Sequence, residues 1–261
     1  MNSGYIFSRR TPRGLSRLVG PKKTSYLSPE KGELLIMQVF LILLSFASMI
    51  ASLAMAFVYA PTEASMGIVQ KIFYFHVPAA YTTYLSWAVC TVSSIMYMVK
   101  PSEKWDMAAK SAAEVALVFA GIVLITGPLW GRKSWGAYWA FDPRLTSMLL
   151  FTLIVAAYVL LRGIGTGETE RKFSAALAIL GACIVPIIHI SVYKWRGQHP
   201  SVMRDGGLAP SMLHALMAAI LSFTAFYVLL FVRRYRLEQN KRRLAAIVNE
   251  AAALGLIGEG E

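Results

Sequence analysis

The chain has 261 residues, 56% of them hydrophobic and only 15% charged, with a mean hydropathy of +0.53. That balance excludes a soluble domain and points to a polytopic membrane protein. A formal net charge of +12 would suit a nucleic-acid binder, but its distribution follows membrane topology, so no nucleic-acid role is expected.

The first 33 residues form a basic N-terminal segment without the apolar core of a cleavable leader. Six apolar runs follow, near 34–58, 79–99, 108–128, 145–161, 173–192 and 210–232. A helix needs about 20 residues to cross a bilayer, and only helices satisfy the backbone of such runs in lipid. The predicted fold is therefore all-α, with a six-helix membrane domain over 34–232. Pro186 should kink the fifth helix. The tail, 233–261, reads as a short basic helix lying on anionic lipid, with Leu244, Ile247 and Val248 after Lys241-Arg242-Arg243. No internal repeat or low-complexity segment is evident.

Nineteen Lys and Arg fall in the N-terminal segment, the 100–110 and 162–172 connections and the tail. Seven fall in the alternate connections: Lys71; Arg132, Lys133 and Arg144; Lys194, Arg196 and Arg204. This asymmetry predicts cytoplasmic termini and outward connections at 59–78, 129–144 and 193–209. Cys90 and Cys183 both lie in apolar runs, which argues against a disulfide framework, and no C-x-x-C-H marks covalent haem attachment.

The second outward connection carries Trp130, Gly131, Trp135, Gly136, Tyr138, Trp139, Phe141 and Asp142, with three of the six tryptophans inside ten residues. Such density exceeds an ordinary interfacial belt. It predicts a continuous aromatic shelf for a large, flat, apolar ligand, with Gly131 and Gly136 letting that ligand approach the backbone. Asp142 before Pro143 has the pattern of a helix N-cap.

All four histidines fall in or near the outward half. Taken singly, each reads as an interfacial polar residue. Jointly, His76 and His199 sit on separate connections flanking the aromatic tract, and two imidazoles can close a six-coordinate haem iron. A bare metal ion fits less well, because no clustered acids or cysteines complete a shell. His189, inside the fifth run, reads either as a helix-packing hydrogen bonder or as a supporting partner for the ligand loop. His214 reads as structural. Arg144, Arg132, Lys133 and Lys71 could meet haem propionates as charge-assisted donors; the other reading is contact with lipid headgroups, which fits Arg132 and Lys133 equally well.

The stretch from Trp130 to Asp142 resembles the tryptophan-rich "WWD" signature of haem-handling proteins in cytochrome c biogenesis. Phe75-His76-Val77-Pro78, Asp142-Pro143-Arg144-Leu145-Thr146 and Pro186-Ile187-Ile188-His189-Ile190-Ser191 are similar to the CcmC branch, as are the length and six runs. The resemblance covers roughly 34–232. Tyr138 and Phe141 stand where the family often has Trp, and Gln198-His199-Pro200 departs from its usual Leu-His-Gln.

The resemblance implies a non-enzymatic carrier of non-covalent haem b in the bacterial cytoplasmic membrane, with His76 and His199 as axial ligands. It also implies a CcmE-type periplasmic haem chaperone, ABC-transporter subunits of CcmA and CcmB type, and a small single-span CcmD-type partner. Two other readings are a haem-b membrane oxidoreductase and a small-molecule permease. The first wants histidine pairs across the bilayer, and the second wants polar groups at the midplane.

Overall fold

The computed structural model describes residues 29–165, 167–195, 199–200 and 206–256. The basic residues from Arg9 to Lys23, and Arg196 and Arg204, lie outside them. The chain divides into two units, Met1–Val39 and Phe40–Glu261. The first holds the start of helix α1, and everything below concerns the second.

Among the described residues, six long helices follow one another: α1 (Pro29–Ala54), extended by a wider turn at Met55–Tyr59; α2 (Phe73–Val99), preceded by a tight turn at Ile68–Ile72; α3 (Glu103–Trp135); α4 (Pro143–Ile164); α5 (Glu168–Lys194); and α6 (Pro210–Ala253). Among the described residues there is no strand, only an isolated bridge between Glu63 and Gly67. Five of the helices are long and apolar enough to cross a membrane. The protein is thus a polytopic all-α membrane protein.

The exception is α2, whose 27 residues are long enough but include Thr82, Thr83, Ser86, Ser93 and Ser94. These side chains are buried, because α2 lies inside the bundle against α3, α5 and α6. Three of these hydroxyls are satisfied by backbone carbonyls: Thr82 donates to Pro78, Thr83 to Ala79 and Ser86 to Ala112. Gly181 on α5 permits close approach to α2, since a Cβ there would lie 2.6 Å from the buried indole of Trp87.

The helix ends differ from the sequence expectation in three informative places. Helix α2 begins at Phe73, so His76 lies in its first turns rather than in a connection. Helix α3 runs through Pro128 to Trp135 and stops at Gly136, which adopts the left-handed conformation (φ 76°) that favours glycine at a helix C-terminus. Trp130 and Trp135 are consequently helical, and Gly136 serves as the helix stop, with open space where a side chain would stand. Helix α6 is one rod of 44 residues, about 66 Å at 1.5 Å per residue, so the tail continues its axis instead of forming a separate surface helix. Helix α5 remains unbroken through Pro186.

Candidate functional site

The C-terminal ends of α3 and α5 and the N-terminal ends of α2, α4 and α6 meet at one end of the bundle. There they enclose a cavity of 920 Å³, at the upper end of the range for cofactor sites. His76, His199, Trp130, Trp135, Trp139, Lys133, Arg144 and His189 all line it. Residues distant in sequence therefore converge as expected, although the wall is not the continuous shelf that the tryptophan spacing suggested. Trp130 and Trp135 meet edge to face, with ring centroids 5.7 Å apart and planes at 88°. Trp135 also covers Gly131: a Cβ on that glycine would lie 3.0 Å from the indole. Gly131 makes room for a neighbouring tryptophan, and no ligand can approach its backbone on that side.

The two histidine rings lie side by side at the cavity, with centroids 6.4 Å apart and planes tilted by 34°. Their hydrogen bonds assign their tautomers. Thr126 donates its single hydroxyl proton to the Ile122 carbonyl (2.7 Å), so toward His76 Nδ1, 2.9 Å away, it can only accept. His76 therefore carries its proton on Nδ1 and keeps a lone pair on Nε2. His199 Nδ1 donates to the Pro200 carbonyl (3.0 Å), which leaves its Nε2 in the same state. An imidazole fixed through one nitrogen and free at the other is the usual form of a metal-ligating histidine. Burial, reinforced by the Arg144 guanidinium, lowers the His199 pKa to about 4, so this ring is neutral at physiological pH.

Sequence reasoning missed Thr126 and Gly127. A Cβ on Gly127 would lie 3.3 Å from His76 Cε1, so this glycine accommodates the imidazole that Thr126 orients. The available signal was the Thr-Gly pair immediately before Pro128.

Other expected site residues are placed elsewhere. Lys71 is buried beneath the cavity wall, where its Nζ donates to the carbonyls of Ala60 (2.6 Å) and Pro61 (3.0 Å) and sits 5.8 Å over the Tyr74 ring. Burial lowers its pKa, and its role is to clamp the α1–α2 connection. Tyr138 is 59% exposed and stacks beneath the Arg132 guanidinium at 5.7 Å; that guanidinium also donates to the Gly136 carbonyl. Of the proposed propionate partners, Lys133 and Arg144 remain at the cavity. His214 is bonded to the Tyr59 hydroxyl at 3.2 Å, consistent with a structural residue.

Asp142 caps α4 as its sequence context suggested. Oδ1 accepts from the backbone N–H of Arg144 (2.8 Å) and Leu145 (3.3 Å), with Pro143 in the first helical turn. The preceding residue, Phe141, has a positive φ of 50° and is 82% exposed, so the chain turns sharply into the cap. Asp142→Asn is expected to leave stability nearly unchanged, whereas Asp142→Ala should cost about 0.5–2 kcal/mol. Thermal unfolding of the two variants in detergent checks this.

Among the described residues, no three His, Cys, Asp or Glu side chains converge to hold a bare metal ion. The site among the described residues is a large, tryptophan-lined cavity with two neighbouring imidazoles and the cations Lys133 and Arg144, carried by a polytopic helical membrane protein. The family model for CcmC, Heme exporter protein C, matches residues 24–250. The chain is 36% identical over 193 residues to Heme exporter protein C of Bradyrhizobium diazoefficiens, covering 72% of this chain and 73% of that one. It is 30% identical to the Rhodobacter capsulatus protein of that name, over 77% of this chain and 85% of the other. For the Escherichia coli K12 protein the identity is 31%, over 72% and 78%. The chain belongs to the Heme exporter protein C family.

Proposed function

We propose that the protein carries haem as non-covalent cargo between His76 and His199 and hands it to a periplasmic haem chaperone for cytochrome c maturation. The carrying observation is the neighbouring pair of imidazoles, each with its Nε2 lone pair free, inside one tryptophan-walled cavity. A metal shared in line by two imidazole nitrogens at about 2.0–2.1 Å each leaves the ring centroids roughly 6 Å apart. The rings, 6.4 Å apart and tilted by 34°, leave room for such an ion between them. Trp130, Trp135 and Trp139 supply apolar surface for the macrocycle, and Lys133 and Arg144 supply cations for its carboxylates. The name Heme exporter protein C, shared by the relatives, supports the same cargo.

The role is non-catalytic. All four histidines lie toward the cavity end, on α2, near the end of α5, on Gln198-His199-Pro200 and in the first turns of α6. A transmembrane electron path would need ligands at the opposite end as well. The chain contains no Walker A pattern, so ATP use would fall to ABC-transporter partners of CcmA and CcmB type, with a CcmD-type single-span protein completing the assembly.

The cavity faces the periplasm in the bacterial inner membrane, with six spans and both termini cytoplasmic. Reporters fused after Lys104, Gly167 and Glu261 should then read cytoplasmic, and reporters within 132–138 or 197–206 periplasmic; a periplasmic C-terminus would overturn this orientation.

The hand-off is tested by loading of a CcmE-type chaperone at matched expression, alongside the absorption spectrum of this protein with and without that chaperone. A Trp130, Trp135 and Trp139 triple alanine variant should lose loading, each indole contributing up to about 1.5–3 kcal/mol where fully buried against the macrocycle. Trp→Phe changes should be milder. Full loading by the triple variant would reduce the tract to an interfacial anchor.

A further inference from the structure

One ligand-bearing side chain of the cavity takes no part in the neighbouring pair. His189 lies on α5, lines the cavity and is exposed. Its neighbours on the helix, Ile187 and Ile190, are 43% and 50% exposed, as expected of a face turned to lipid. Ile190 is the next residue in the chain, so His189 stands where the cavity lining borders the lipid-turned face of α5.

The chemistry there is that of an iron ligand. His189 Nδ1 donates to the Val185 carbonyl one turn earlier (2.9 Å), and a carbonyl can only accept, so Nε2 keeps its lone pair. The ring packs against Tyr84 with centroids 5.1 Å apart. Tyr84 is itself held by a hydrogen bond from its hydroxyl to the buried thioether of Met148 at 3.6 Å. An oriented imidazole thus stands on an aromatic support where the cavity meets the hydrocarbon.

We propose that His189 is a transient haem-iron ligand at a lateral opening, which receives haem from the bilayer before the iron passes to His76 and His199. The proposal rests on the haem reading above. Haem is flat and apolar with one polar edge, so it partitions into membranes, and a ligand at the lipid boundary shortens its path to the cavity. One imidazole gives a five-coordinate, more weakly held iron, which suits release inward to a pair. No bond within haem changes; one iron–nitrogen bond is exchanged for two.

The test uses the purified full chain and two haem sources, haem-loaded phosphatidylcholine vesicles and haem in aqueous solution. His189→Phe keeps a ring against Tyr84 but removes the ligand. It is expected to reach the wild-type final spectrum and haem content, with uptake from vesicles slowed about tenfold or more and uptake from solution little changed. His189→Met, which restores a ligating atom, should recover part of the rate. In a His76→Ala, His199→Ala background, a residual five-coordinate spectrum should vanish when His189→Phe is added. Unchanged vesicle uptake in His189→Phe, or identical spectra for the double and triple variants, would overturn the proposal. A wild-type chain that takes up haem from neither source would instead overturn the underlying function.

Discussion

His76→Ala and His199→Ala are each expected to strip the purified protein of most of its haem, and to convert whatever remains from a six-coordinate, low-spin spectrum to a five-coordinate one. The argument is geometric. Each ring is held through Nδ1, so its Nε2 is aimed without further loss of freedom, and removing either ring leaves the iron with one protein ligand. Thr126→Val removes only the acceptor that orients His76. Losing such an outer partner typically weakens metal affinity about 10–100-fold, and the direct ligands should matter at least as much. Exogenous imidazole should partly restore the spectrum of the alanine variants by filling the vacated position. Acid should act through His199 in a defined window. Its pKa is lowered to about 4 in the packed site, against about 6.5 for a solvated imidazole. Solvated states of His199 therefore bind the extra proton first, so falling pH favours them progressively from about 6.5 down to 4. Haem retention should be flat above neutrality and lost across that interval. Retention of the wild-type spectrum by His199→Ala, with its loss in His189→Ala, would transfer the resident ligand to α5.

The helices and the gathering of His76, His199 and the tryptophans at one end were legible because apolar run length and aromatic composition report directly on burial in lipid. Asp142 was legible for another reason, since an acid before proline at a helix start has few alternatives. The start of α2 was not legible: Phe75-His76-Val77-Pro78 reads as an interfacial connection, yet Pro78 sits inside α2 as its sixth residue, where the helix gives up one backbone hydrogen bond and the packed bundle tolerates it. The end of α3 was misjudged because Pro128 and Gly131 look like breakers, while the true stop is Gly136 preceded by Arg132 and Lys133 in the last turn. Lys71 was misplaced because a positive charge in an outward connection gives no sign that two carbonyls will capture it. The orientation of His76 by Thr126 could not be read at all, since it joins residues 50 positions apart.

The opposite end of the bundle carries the second large effect, and there the sequence misled through arithmetic that was itself sound. Counting Arg162, Arg171 and Arg242 toward topology hides the fact that all three converge on one buried carboxylate. Asp106 Oδ2 accepts from Arg162 at 2.8 Å and from Arg242, and lies 3.6 Å from Arg171. The cluster continues through Arg162 to Glu170 at 2.8 Å, Arg171 to Glu103 at 2.7 Å and Lys110 to Glu238 at 3.3 Å, and Arg234 pairs with Glu114. It thereby ties α3, α4, α5 and α6 together at the end remote from the cavity, and it anchors the first turns of the α6 extension. A buried ion pair adds little net stability, but removing one partner leaves charges unpaired and typically costs about 3–5 kcal/mol. Asp106→Ala removes the one carboxylate that three guanidiniums share, each keeping only its other acids (Arg162 with Glu170, Arg171 with Glu103, Arg242 with Glu103 and Glu238), so it is expected to lower the detergent melting temperature and to reduce the yield of folded protein. Asp106→Asn should be intermediate, because an amide keeps one acceptor while losing the charge. Arg171→Ala, whose side chain is 28% exposed, should cost only about 0–1 kcal/mol. If Asp106→Ala melts like the parent, the four helices are held at this end by the remaining ion pairs and apolar packing, and Asp106 is not the keystone. If it melts low while the residual folded protein binds haem normally, the two ends are separable: one keeps the bundle closed, and the other can give way to cargo.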